Sequence, residues 1–154
     1  MRYLILSILS LALAGCGQDE TLHRADKPVS REVASRDISL PFPVSTKDVY
    51  YVFHAGGMQE LEMFVRFTVD PKDLDSVVSD IFSDRDKKMQ GHLSSPTLSL
   101  AAAPRSPAFP DLQPMPWWSP ESITNGYYRG STNGQPFHVW VDVGQQTIYL
   151  CTHD

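Results

Sequence analysis

Apolar and polar positions change period along this chain, and the changes mark out its elements. Leu61, Met63, Val65, Phe67 and Val69 alternate with Glu60, Glu62, Phe64, Arg66 and Thr68. A period of two predicts a strand with one buried face. Residues 49–53 just upstream are aromatic and β-branched, and predict a partner strand. The turn between them is Ala55-Gly56-Gly57-Met58. A two-residue Gly-Gly loop would set Tyr50, Val52 and His54 beside the buried row. A loop of odd length, with a bulge, sets Phe53, Tyr51 and Val49 opposite Leu61, Met63 and Val65 instead. The odd loop buries more apolar surface, and the two glycines supply the positive φ it requires.

The period then lengthens. Leu74, Val77, Val78, Ile81 and Phe82 follow the i, i+3, i+4, i+7, i+8 spacing of a helix with one buried stripe. Asp70 is placed as the N-cap and Pro71 as the first helical residue, with Asp73 near the positive end of the dipole. Arg85, Lys87 and Lys88 suit the C-terminal end, and Gly91 can terminate it. Asp73, Asp75, Asp80, Asp84 and Asp86 form the solvated face. They lack the spacing and glycine of a helix-loop-helix calcium site.

Alternation returns near the end. Residues 126–129 predict a short strand and Asn133-Gly134 a hairpin turn. Phe137, Val139, Val141 and Val143 alternate with His138, Trp140 and Asp142. After a turn at Gly144-Gln145, residues 147–151 form the last strand. A symmetric turn pairs Val141 with Ile148 and Val139 with Leu150 on one face. The same register pairs Trp140 with Tyr149 and His138 with Cys151 on the other.

Two stretches carry no apolar period. Residues 16–40 are polar and charge-mixed, and are expected to be a flexible tether; Leu40-Pro41-Phe42-Pro43 closes it. Residues 92–120 hold seven prolines and are expected to be a long loop. Trp117 and Trp118 end that loop, followed by a short turn at Ser119-Pro120-Glu121. The paired indoles have two readings. They pack the loop onto the sheet, or they form an exposed recognition surface, which makes them the candidate partner-binding residues.

Charge and cysteine content narrow the chemistry. The formal net charge is −5 over 154 residues, which gives no electrostatic reason to bind nucleic acid or an anionic surface. Cys16 and Cys151 are the two cysteines. A thiolate at Cys151 activated by His138 is the sharpest catalytic option, but no third group or oxyanion donor accompanies it. Burial is the default expectation for Cys151. His54, His92, His138 and His153 show no metal-ligand spacing, and Gly56-Gly57 has no following helix to make it a phosphate loop. No catalytic, cofactor-binding or metal-binding residue is therefore assigned, and no enzyme activity is expected.

The N-terminus carries the most specific signal. A basic start at Arg2 precedes eleven largely apolar residues, 4–14, and then Leu13-Ala14-Gly15-Cys16. Eleven residues are too few to span a bilayer core of about 30 Å as a helix, whereas a short apolar run before small residues describes a secretory signal peptide. Leu13-Ala14-Gly15-Cys16 resembles the lipobox of bacterial lipoproteins. That resemblance covers residues 1–17. It implies removal of residues 1–15, acylation of Cys16 with palmitate-type chains, and attachment to a membrane. With Gly17 after the cysteine, it favours the periplasmic face of the outer membrane. One acyl chain holds only reversibly, so the two or three chains the resemblance implies would make release negligible.

These readings combine into one expectation. Residues 41–154 form a single periplasmic α+β domain, ββ-α-βββ, with an antiparallel sheet of about five strands in two blocks (residues 49–69 and 126–152) and one helix packed on it. The domain is generally similar to small uncharacterised envelope lipoproteins. The expected function is that of a lipid-anchored protein that binds another envelope component without catalysis or cofactor. The alternatives are an immunity lipoprotein that neutralises a toxin delivered to the periplasm, and an enzyme acting on cell wall or thiols.

Overall fold

The computed structural model describes residues 21–55, 61–88, 97–106, 115–131 and 137–152. The expected leader and Cys16, the turns expected at Gly56-Gly57 and Asn133-Gly134, and Gly91, expected to end the helix, lie outside the described residues.

The strands are β1 (Thr21–Val29), β2 (Lys47–Ala55), β3 (Leu61–Thr68), β4 (Thr97–Ser99), β5 (Gly126–Ser131), β6 (Phe137–Asp142) and β7 (Thr147–Thr152). The helices are α1 (Arg31–Ile38) and α2 (Leu74–Lys88), and single 3₁₀ turns lie at Pro71–Asp73, Leu100–Ala102 and Pro120–Ser122. All strands join one open antiparallel sheet in the order β1-β2-β3-β7-β6-β5-β4. The architecture is α+β in character, with seven strands among the described residues instead of about five and two helices instead of one.

The three additional elements, β1, α1 and β4, arise where regular structure was not expected. Residues 21–38 are not a tether: they form β1 and α1. Charge does not prevent either, because an edge strand needs only backbone partners on one side and tolerates charged side chains. Pro28 falls where the β1–β2 pairing shifts, between Ala25 and Val29, a position that needs no ladder donor. Ser30 caps α1 by accepting from the Val33 amide at 3.4 Å, and Ser39 ends it with φ 54°. The helix buries only Ala34 and Ile38, too short a stripe to read as a period. A hydrogen bond from Tyr51 Oη to Asp37 Oδ2 (2.5 Å) fastens it to β2. β4 is a three-residue edge strand inside the proline-rich segment, paired only with β5.

The two predicted blocks are joined by β7, which lies between β3 and β6. The β6–β7 register is the one predicted, with Val139 opposite Leu150, Val141 opposite Ile148, Trp140 opposite Tyr149 and His138 opposite Cys151. The β2–β3 pairing keeps the expected face, but its register is two residues along from the expected one: Phe53 lies opposite Met63 instead of Leu61 and Tyr51 opposite Val65 instead of Met63, because pairing continues to Ala55 opposite Leu61.

One face of the sheet carries the main core. Val49, Tyr51, Val65, Phe67, Val139, Val141, Ile148 and Leu150 pack there against Leu74, Val77, Val78 and Phe82 of α2 and Ala34 and Ile38 of α1. Phe82 meets Phe137 edge to face at 5.4 Å. Ile81 is only partly buried beside that cluster. At the start of α2 the Asp70 side chain makes no capping bond; its carboxylate accepts from Lys47 Nζ at 2.9 Å. The expectation that β3 has one buried face is corrected, because Phe64 on the opposite face is fully buried too.

Candidate functional site

The second face of the sheet is covered by loop, not by helix. Tyr50 and Val52 of β2, Phe64 of β3, Tyr149 and Cys151 of β7, Trp140 of β6 and Tyr128 of β5 form its floor. Period two brings these residues to one side because the strands pair in register. Over them lie Trp117, Trp118, Ile123, Met115, Leu100 and Ala103. Aromatics on the supposedly polar face of β5, β6 and β7 are the sequence signal for a covered second face.

Trp117 and Trp118 pin this cover. Trp117 is 8% exposed and stacks on Tyr50 with centroids 5.7 Å apart. Its indole Nε1 donates to Asp26 Oδ1 of β1 at 3.2 Å. Arg24 also binds that carboxylate, at 2.6 Å; the Arg24 hydrogen bond, with a smaller contribution from Trp117, holds Asp26 below the usual carboxylate range. Trp118 meets Phe64, Tyr149, Trp140 and Trp117 edge to face at 5.0, 5.6, 6.0 and 6.1 Å. Its Nε1 donates to Ser106 Oγ at 2.6 Å. The geometry is that of packing, the first of the two readings. Trp117 has too little free surface to serve as a recognition residue, and Trp118 offers a partner at most its outer edge.

Beside the pinned loop is a cleft of about 370 Å³. Residues Leu100, Ala101, Ala103, Pro104, Arg105 and Ser106 line it from one segment, and Pro120, Glu121 and Ile123 from another, with Trp140 also exposed to it. The two segments are tied by the Ser106 amide, which donates to Glu121 Oε1 at 3.2 Å. The volume lies within the range of small-ligand pockets, and the lining is polar and apolar in about equal part, with Arg105, Ser106 and Glu121 among the apolar side chains. The segment from Leu100 to Ser106 has no apolar period, so the sequence offers no sign of this wall.

The His138–Cys151 pair is adjacent as expected, but its environment opposes thiolate chemistry. Cys151 is fully buried. Burial, reinforced by the charge of Glu62, pushes its thiol up to about 12, so the nucleophilic form is suppressed at neutral pH. His138 Nδ1 is 2.7 Å from Tyr128 Oη, and its ring stacks between Tyr128 and Trp140 at 6.0 and 5.6 Å. Gly130 makes room for this arrangement, since a Cβ there would lie 1.8 Å from Tyr128 Oη. Among the described residues no three His, Cys, Asp or Glu side chains are placed to hold a metal ion. His54 pairs with Glu62 at 3.6 Å; His92 and His153 lie outside the described residues.

No family model, curated protein or solved structure matches the chain.

Proposed function

We propose that this protein is a lipid-anchored component of the bacterial envelope, held through Cys16, that binds another envelope component in the cleft beside the tryptophan-pinned loop. The observation that carries the reading is the cover of the second sheet face. Its aromatic contacts and hydrogen bonds fasten Ser106 and Trp118 around the cleft, and a preordered wall lowers the entropic cost of binding. The apolar lining from Leu100 to Pro104, with Arg105 and Glu121 at hand, suits an apolar side chain or short segment of a partner flanked by polar groups. Binding without catalysis agrees with the neutral, buried thiol at Cys151.

A photo-crosslinking side chain placed at Ser106, and separately at Ser79 on the exposed side of α2, tests this in intact cells. A defined adduct from position 106, absent from 79 and abolished by the cleft-filling Ala101→Trp, is the expected result. Equal adducts from both positions, or a position-106 adduct indifferent to Ala101→Trp, would overturn the cleft as the binding site. A basic toxin as the captured partner would select the immunity reading, which the chain's negative charge favours.

A further inference from the structure

We infer that the end of the sheet where β1 begins faces the lipid surface at close range, so that the strands stand away from the membrane. The inference rests on acylation of Cys16, as proposed above, and adds an orientation to it. β1 begins at Thr21, whose backbone pairs with Ala55. Five residue steps separate Cys16 from Thr21. At the maximum extension of the chain these reach about 18 Å. A tether that ran to residue 40 would have let the domain tumble at several times that distance; β1 removes that freedom.

The topology states which groups come to the lipid. Ala55 pairs with Leu61 at the same end. β7 finishes there and β6 starts there, with Thr152 opposite Phe137. Leu22, one residue into β1, is 56% exposed, an apolar side chain beside the attachment point and available to the interfacial region. At the opposite end are Lys47 opposite Thr68 and Asp142 opposite Thr147, followed by Val143, itself 42% exposed. The nine residues of β2 put about 26 Å between the two ends. The neighbouring strand edge, with Arg24, Asp26 and Lys27 on β1, is charged and suited to water, which favours an end-on attitude over lying flat. The cleft leans on Ile123, which contacts the position of Gly126 at the far end, so a partner there has room above the lipid headgroups.

Energy transfer from labelled protein to headgroup-labelled lipid reads the orientation. The full-length lipidated protein carries a donor on Leu22→Cys or on Val143→Cys, in vesicles of phosphatidylethanolamine and phosphatidylglycerol; buried Cys151 is spared by the label. Transfer from position 22 should be at least about twofold more efficient than from 143, given the strand length between them. Inserting about fifteen Gly and Ser residues after Gly17 should equalise the two positions while leaving vesicle flotation intact. Equal transfer without the insertion, or stronger transfer from 143, overturns the orientation while the anchor stands. Mass spectrometry showing Cys16 without lipid overturns the anchor itself, and the orientation with it.

Discussion

Trp118→Ala should loosen the cover of the second face and destabilise the whole domain. The wild-type indole contacts four aromatic rings within 5.0–6.1 Å and donates one hydrogen bond to Ser106. Truncating a fully buried tryptophan costs about 3–5 kcal/mol. Trp118 is intermediate in burial, which lowers the burial component to about 2–3 kcal/mol. The lost hydrogen bond adds about 1 kcal/mol. The edge-to-face geometry is already contained in part in the burial figure, so the sum stands at about 3–4 kcal/mol. With a urea dependence of about 1.5–2 kcal/mol per molar, the midpoint should fall by about 1.5–2.7 M. Far-ultraviolet circular dichroism is the right signal, because the substitution alters tryptophan fluorescence directly. Trp118→Phe keeps most of the ring contact and loses the indole donor, so it should cost about 1 kcal/mol. A midpoint for Trp118→Ala within about 0.3 M of the parent would refute the packing argument and restore the indole pair as a free surface.

Four further outcomes follow from the geometry. Phe82→Ala should cost about 3–5 kcal/mol and Ile81→Ala about 1–2 kcal/mol in urea unfolding, because Phe82 is 1% exposed and Ile81 only borders the core; equal losses would mean that the stripe is rotated. On the alkaline side, burial raises Tyr51, Tyr127, Tyr128 and Cys151 to about 12 each. Their contribution is fully present below the unfolded-state values of about 8.5–10 and is lost as pH climbs toward 12, so unfolding free energy should drop steeply over that window, and less steeply in Tyr51→Phe. On the acid side, the hydrogen bond from Tyr51, then that from Arg36, holds Asp37 below the usual carboxylate range. Its contribution is present above about 3.9 and fades as pH falls through the depressed folded value; Asp37→Asn should flatten that limb in a pH series of thermal melts. Cys16→Ser should abolish palmitate labelling and shift the protein out of the membrane fraction, and unchanged labelling would remove the anchor from the account.

What the amino-acid pattern discloses depends on whether an element is held by its own periodicity. The α2 stripe and the β6–β7 register are legible because one burial surface determines which positions must be apolar. α1 and β1 are not: α1 buries two small contacts, and β1 lies at the sheet edge, where backbone pairing suffices and Arg24 and Lys27 are tolerated. The position of β7 between β3 and β6 is equally hidden, since closure of distant strands leaves no local trace. At the site, aromatic residues opposite the main core announce a second covered face, and Trp117 and Trp118 are conspicuous. Their role is decided only by partners remote in sequence, Asp26 and Ser106. The cleft wall from Leu100 to Ser106 is short, proline-bearing and aperiodic, so its place in the fold comes entirely from tertiary contacts.

Among the described residues the central strand is also the last in chain order, and this shapes the order of assembly. β7 meets β3 across about eighty residues of intervening chain. Until it is made, β1–β3 and β4–β7 are separate fragments, each ending in an open edge with Val65 or Leu150 uncovered. Neither fragment can close the core, and loop closure over that length must precede its reward. Completion of the sheet is therefore a single late event.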